Sequence, residues 1–279
     1  MKDTICIYHA KCADGFTSAW AVWKKYPDIE FLPATYGDNV PDVTNKDVIM
    51  VDFSYKRHIL LDMAEQAKTI LILDHHKSAQ EDLVELPDNV TAIFDMEKSG
   101  ARLAWEYFHP NTDVPMLVMH VEDRDLWKFN DSNTRAFQAN LFSLEYTFEN
   151  WEHVHHVCGD KLNYDTFVAG GEAIERKHFK DVKELISVAS YESVLDDWPV
   201  PFLNAPYFYS SDAGDIMSER RAFAVCYYDT KDERVFSLRS NAEYGSDVSK
   251  LASKFGGGGH KNAAGFRWPL DKINEIIQE

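Results

Sequence analysis

Along the first hundred residues, short apolar runs alternate with stretches in which apolar residues recur at helical spacing. TICIYH (4–9), IEFLPATY (29–36), DVIMVDF (47–53), TILILDHH (69–76) and VTAIFD (90–95) are short and rich in β-branched residues, and they predict strands. GFTSAWAVWKKY (15–26) and KRHILLDMAEQA (56–67) lie between them and predict helices. Alternation of this kind needs crossover connections, so it predicts an α/β unit with a mainly parallel sheet covered on both faces. Residues 99–190 predict mostly helix, with AGGEAIERKHFKDVKELI as a long connector. From Val194 the pattern shortens to PYFYSS, RAFAVCYYD and RVFSLRS, all strand-like, then GGGGHKNAAGF and DKINEIIQE, the last read as a closing amphipathic helix. The expectation is two domains, 1–190 and a smaller α+β domain 191–279, with the Pro-containing DDWPVPFLNAP (196–206) as the turn between them.

Composition narrows the class. A chain of 279 residues with 45% hydrophobic content can bury a substantial core. No apolar run approaches a membrane span, and MKDTICIYHAKCADG lacks the order of a secretion signal, so a cytoplasmic location is expected. Cys6, Cys12, Cys158 and Cys226 form no CxxC pair, which argues against a disulfide framework or a zinc knuckle and for reduced thiols. Lys and Arg total 29 against 46 Asp and Glu, a net charge of −17, which excludes a broad basic track for long nucleic acid. A small anionic substrate stays compatible, because bound cations or a few arginines reverse the field locally.

Three predicted strands end in His or Asp. Ligands of open α/β sheets gather at the carboxyl ends of strands, so His9, Asp52, Asp74, His75 and His76 are expected in one crevice. With Asp14 and Asp123 they make a nitrogen and oxygen donor set, with only Cys12 adding sulfur. That chemistry suits Mn²⁺, Mg²⁺ or Fe²⁺ better than structural zinc, and it is large enough for two ions. HVHH (153–156) has no ordered carboxylates beside it and reads as a solvated helix face.

H-AKC-ADG (9–15), VDFS (51–54), LDHHK (73–77), EDRDLW (122–127), SLRSN (237–241) and GGGGHKNAAGF (256–266) occur in an order that resembles the DHH/DHHA1 phosphoesterase superfamily. CADGFTSAWA and SGARLAWEYF look most like its oligoribonuclease B or cyclic-nucleotide phosphodiesterase branch. The resemblance implies a DHH catalytic domain followed by a DHHA1 substrate-binding domain, with the active site in the cleft between them. It implies two Mn²⁺ ions on His9, Asp14, Asp52, His75 and Asp123, with Asp52 bridging and Asp125 as the alternative to Asp123. Asp52, Asp74, His75 and His76 form the expected catalytic set, Asp74 orienting its neighbouring histidine and His76 meeting metal or phosphate. Cys12 stands where many relatives carry aspartate. Arg239, Ser240, Asn241, Gly257, Gly258, Gly259 and His260 are expected to hold substrate, the glycines through an anion-binding nest of backbone N–H groups.

The function expected is a two-metal phosphodiesterase that cuts short oligonucleotides or linear dinucleotides to mononucleotides, without long-duplex or membrane binding. A cyclic-mononucleotide phosphodiesterase, a pyrophosphatase or polyphosphatase, and a catalytically impaired nucleotide-binding protein are the competing readings. Oligomeric state is not legible in the chain.

Overall fold

The computed structural model describes residues 3–37, 39–243 and 245–278. The chain divides into two compact units between Glu175 and Arg176. In the first, β1 (Thr4–His9), β2 (Glu30–Ala34), β3 (Asp47–Val51), β4 (Thr69–Asp74) and β5 (Val90–Phe94) pair in parallel in the order β2-β1-β3-β4-β5. They are interleaved with or followed by α1 (Ala13–Lys25), α2 (Arg57–Ala64), α3 (Lys77–Asp82), α4 (Gly100–Phe108), α5 (Met116–Asp125), α6 (Thr134–Leu141), α7 (Phe148–Val157) and α8 (Lys161–Ala189).

Both faces of this sheet are buried, which is why its strands read as continuous apolar runs. Successive side chains on a strand point to opposite faces. Cys6, Ile49, Val51 and Leu73 accordingly join a core that includes Trp20, Ala104, Val118 and Trp151 from α1, α4, α5 and α7. Ile5, Ile7, Val48, Met50, Ile70 and Ile72 join the opposite core, with Leu60 and Met63 of α2. The chain leaves β1 for β2 on one side and returns to β3 on the other, so the sheet's order reverses between β1 and β3. A crevice opens at the carboxyl ends of the strands where such a reversal occurs.

The second unit begins within α8 and holds a mixed sheet in the order β10-β11-β9-β8-β7-β6-β12. Its strands are β6 (Tyr191–Leu195), β7 (Trp198–Asn204), β8 (Ala224–Asp229), β9 (Glu233–Arg239), β10 (Gly258–Gly259), β11 (Ala263–Pro269) and β12 (Ile277–Gln278), with α9 (Ser210–Met217) and α10 (Val248–Lys254). β7 and β8 pair in parallel; the other neighbours are antiparallel.

Three expectations for this region are corrected. DDWPVPFLNAP is a hairpin inside the second unit. Asp196 and Asp197 form its loop at φ 48° and 69°, the left-handed pair that matches the twist of flanking strands. Pro199 and Pro201 are tolerated because β7 gains its second neighbour only from Phe202 onward. PYFYSS is a 3₁₀ turn, Tyr207–Tyr209, leading into α9, since Pro206 redirects the chain and Tyr207 and Phe208 are exposed without a sheet face to fill. The closing segment is a 3₁₀ turn, Leu270–Glu275, followed by β12, where Ile277 pairs with Leu195. Among the described residues, no helix is long and apolar enough to cross a membrane.

Candidate metal centre

β1, β3 and β4 are neighbours in the sheet, and each delivers polar side chains at its carboxyl end: His9, Asp52, and Asp74 with His75 and His76. Asp52 lies just beyond β3, with its N–H donating to the Leu73 carbonyl and its backbone in the left-handed region at φ 52°. That conformation costs a non-glycine residue about 1–2 kcal/mol, offset here by what the side chain gains. Asp52 Oδ1 is 3.1 Å from His75 Nε2, and Asp52 Oδ2 is 3.4 Å from His9 Nδ1. One carboxylate thus faces two histidines from different strands.

His75 Nε2 is crowded by acids. Besides Asp52, it has Asp14 Oδ2 and Asp125 Oδ2 each at 3.5 Å. Asp14, in the first turn of α1, is 1% exposed and is gripped by the start of α4, whose Gly100 and Ala101 N–H groups donate to its two oxygens at 2.6 and 3.0 Å. The amide end of a helix favours a carboxylate. Ser99 caps the same helix, accepting from Arg102 N–H. The amides beside that cap hold Asp14.

Asp74 positions its neighbours. Its Oδ1 accepts from the His75 and His76 backbone N–H groups and from His76 Nδ1–H at 2.7 Å, and its Oδ2 accepts from the Ser54 hydroxyl. His76 is therefore oriented with Nδ1 committed to Asp74, so chemistry beyond that bond falls to Nε2. Ser54 closes the VDFS motif, and this bond gives it a role that the motif alone does not reveal.

Burial alone would raise the Asp52 carboxyl, but the close imidazoles of His75 and His9 and the charge of His76 hold it well below the usual carboxylate range. Asp14 is driven well above that range, first by burial and then by the charges of Asp125 and Asp52. Asp125 rises for the same reasons, burial first, while His75 pulls against the shift. Burial would lower His75 and His76, yet the surrounding carboxylates raise both. The cluster carries more buried carboxylate than its histidines can neutralise, a mismatch that a divalent cation removes.

The donors fit such an ion. Atoms of Asp14, Asp52 and His75 lie within 4.8 Å of one another, as do those of His9, Cys12 and Asp52, and those of Asp52, Asp74 and His76. His9 Nδ1 and Asp125 Oδ2 are buried atoms with no hydrogen-bond partner among the described residues.

The preference for Asp123 over Asp125 is corrected by the geometry. Asp123 accepts from the N–H groups of Asn130 and Asp131 and from the Thr134 hydroxyl at 2.6 Å, so it closes the loop after α5. Residues two apart on a helix face different ways, and Asp125 is the one that reaches His75. Because an ionised Asp123 only accepts, Thr134 donates to it and must accept from His120 Nδ1–H, while His120 Nε2 accepts from the Tyr164 hydroxyl. Trp127 in this loop lies 5.4 and 5.7 Å from the Arg124 and Arg135 guanidinium carbons, a packing role. HVHH lies on α7, where Val154 is buried and His156 Nδ1 bonds the Glu152 carbonyl.

The carboxyl-terminal motif sits in the second unit. Arg239, at the end of β9, is oriented by the hydroxyls of Ser237 and Ser211 and the Leu238 carbonyl. Ser240 Oγ donates to the Ser246 carbonyl and accepts from Asn262, whose amide also reaches the Asn241 carbonyl. Much of the glycine run's backbone is taken up by the protein itself. Gly256, Gly257 and His260 N–H donate to Ser253, Ala252 and Ala263 carbonyls, and Gly258 and Gly259 pair with Gly265 and Ala264 in the sheet. The glycines are there for close approach: a Cβ at Gly257 would lie 2.1 Å from the Gly265 carbonyl oxygen. Tyr36, which the sequence pattern places only at the end of a strand, has its ring 6.2 Å from that of His9 and lines the first unit's crevice.

Residues 4–125 match the DHH family, N-terminal domain, and residues 212–279 match the DHHA1 domain. Uncharacterized protein R106 of Acanthamoeba polyphaga mimivirus is 32% identical over 312 residues, covering 97% of this chain and 70% of that protein. Among solved structures, an uncharacterized protein from Helicobacter pylori G27 superposes with a TM-score of 0.49 at 15% identity, covering 96% of this chain and 94% of the other. The pGpG-specific phosphodiesterase PggH of Vibrio cholerae gives 0.47 at 16% identity, with 98% and 96% covered. RecJ of Thermus thermophilus, solved with Mn²⁺, gives 0.49 at 14% identity; 98% of this chain spans 50% of RecJ.

Proposed function

Because the chain belongs to the DHH family of phosphoesterases, we propose that it is a divalent-metal-dependent phosphodiesterase that hydrolyses short oligonucleotides or linear dinucleotides to mononucleotides. The observation that carries this reading is Asp52, whose two oxygens face His75 and His9 separately, so that this carboxylate could serve two ions. His75, Asp14 and Asp125 would complete one position and His9 the other. Divalent cations held there, Mn²⁺ first and Mg²⁺ or Fe²⁺ as alternatives, supply Lewis acidity that lowers the pKa of a coordinated water and neutralises phosphate oxygens.

The protein's own groups then do the positioning. Asp74 fixes His76 through Nδ1, so that His76 Nε2 serves as the contact for a phosphate oxygen. The α4 amides hold Asp14 in place. In the second unit, Arg239 is braced by two hydroxyls and presents fixed positive charge, which with the polar groups of Ser240, Asn241 and His260 suits an anionic nucleotide. A net charge of −17 disfavours the distal phosphates of a long strand, which sets the preference for short substrates.

One assay in Mn²⁺ tests the reading, comparing a dinucleotide, a strand of roughly 24 nucleotides, cyclic AMP, pyrophosphate and polyphosphate. The dinucleotide is expected to turn over fastest, chelator to abolish activity, and Asp52→Asn to lose about a thousandfold in kcat. Faster cleavage of pyrophosphate or of the long strand would overturn the substrate assignment, and undiminished activity in chelator would overturn the metal dependence.

A further inference from the structure

The two halves of the metal centre are chemically unlike. Asp14, Asp52 and His75 offer oxygens and one imidazole, all deeply buried. His9, Cys12 and Asp52 offer imidazole, sulfur and oxygen within 4.8 Å of one another, and Cys12 is partly exposed. Cys12 precedes α1 with an extended backbone at φ −124°, its sulfur beside the Gly15 N–H and near the carboxylates of Asp52, Asp125 and Asp14. His9 Nδ1 is buried without a hydrogen-bond partner among the described residues, 3.4 Å from the Asp52 oxygen that faces away from His75. The first turn of α1 is pressed onto β1 at this point: a Cβ on Gly15 would lie 2.2 Å from the His9 carbonyl oxygen. That contact brings the sulfur beside the imidazole.

We infer that Cys12 is a thiolate ligand, and that it makes the His9 position selective for softer divalent ions while the Asp14 and His75 position keeps the preference of a hard oxygen site. Thiolate binds borderline and soft ions such as Co²⁺, Zn²⁺ and Cd²⁺ well and Mn²⁺ or Mg²⁺ poorly, and the ligating thiol gives up its proton to solvent when the sulfur–metal bond forms. A centre of this kind loads two different metals. The inference rests on the reading of this cluster as a divalent-metal site and adds to it which ion each half selects.

Cobalt reports sulfur ligation directly, through a thiolate-to-metal charge-transfer band in the near ultraviolet. Anaerobic, reduced protein is titrated with Co²⁺ while bound metal is counted after equilibrium dialysis. Wild type is expected to develop the band, and Cys12→Ser to lose it while still binding cobalt. Cys12→Asp, which supplies a ligand of its own and guards against misfolding of the serine variant, is expected to lose the band and to lower the preference for Cd²⁺ over Mn²⁺ by at least about tenfold. Among the described residues Cys6, Cys158 and Cys226 belong to no donor group of this centre, so a band that persists in Cys12→Ser overturns the proposal. Cobalt bound by wild type without a band also overturns it, and leaves the metal reading standing. Failure of wild type to bind Co²⁺, Cd²⁺ or Mn²⁺ above the level of Asp52→Asn overturns both.

Discussion

Gly100 is pressed against Asp52: a Cβ on the glycine would lie 2.5 Å from the aspartate's Cβ and 2.9 Å from Asp14 Oδ2. The start of α4 can donate to Asp14 only because this residue has no side chain. Gly100→Ala gains about 1 kcal/mol of helix propensity and loses about 1–3 kcal/mol to overpacking. The expected outcome is a small drop in Tm with a large drop in Mn²⁺ affinity, measured on one preparation by thermal melting and metal titration. Unchanged affinity would show that the two carboxylates need not stay where the glycine holds them.

Asp123 and Asp125 separate structure from chemistry within one turn. Asp123→Ala removes the acceptor of two loop N–H groups and the Thr134 hydroxyl, and is expected to cost roughly 1.5–3 kcal/mol in urea unfolding while sparing metal content. Asp125→Asn is expected to do the reverse, holding the unfolding midpoint and lowering bound metal. Metal loss in the first variant without loss of stability would return Asp123 to the centre.

His120 gives a pH signature away from the metal centre. It is 2% exposed, and burial lowers its pKa from 6.5 despite the charges of Asp131 and Asp123. The unfolded chain therefore binds the extra proton more readily, so the neutral, hydrogen-bonded form contributes fully above pH 6.5, and that contribution is lost as pH falls below it. Unfolding free energy in chelator should decline from about pH 7 to about pH 5, and the decline should be shallower in His120→Gln. Parallel curves for the two proteins would exclude His120 as a source of the acid sensitivity.

Gly257→Ala tests the close approach of backbone at the glycine run. With the Gly265 carbonyl 2.1 Å from the new Cβ, the hairpin of β10 and β11 must open, lowering stability of the second unit. Differential scanning calorimetry should show the lower transition, while Mn²⁺ content of the first unit stays at the wild-type level. A wild-type thermogram would mean that the hairpin accommodates the methyl group.

The parallel sheet was legible because Ile5, Val48, Met50, Ile70 and Ile72 on one face and Cys6, Ile49, Val51 and Leu73 on the other leave no polar position in the middle of β1, β3 and β4. His9, Asp52 and His75 were legible for a related reason: polar residues at the ends of such runs stand out. Asp123 against Asp125 was not, since each follows one residue after another acid or base in EDRD and only the returning loop at Asn130–Thr134 decides which is used. GGGGH was ambiguous for a different reason. A glycine run signals close approach, but whether a ligand or the protein's own backbone approaches depends on the partner strand, here β11, which is distant from any local cue. The closing segment has helical spacing, yet Ile277 is claimed by β6, an edge that sequence periodicity does not reveal.

The left-handed backbone of Asp52 dictates how an inert form of this protein should be made. Asparagine tolerates that conformation nearly as well as aspartate, whereas alanine or glutamate would lose about 1–2 kcal/mol and pull the chain between β3 and α2 toward a different path. Alanine scanning at this position would confound a lost ligand with a moved loop. Asp52→Asn keeps the walls standing while halting turnover, and is the form in which an uncut substrate can be captured and seen.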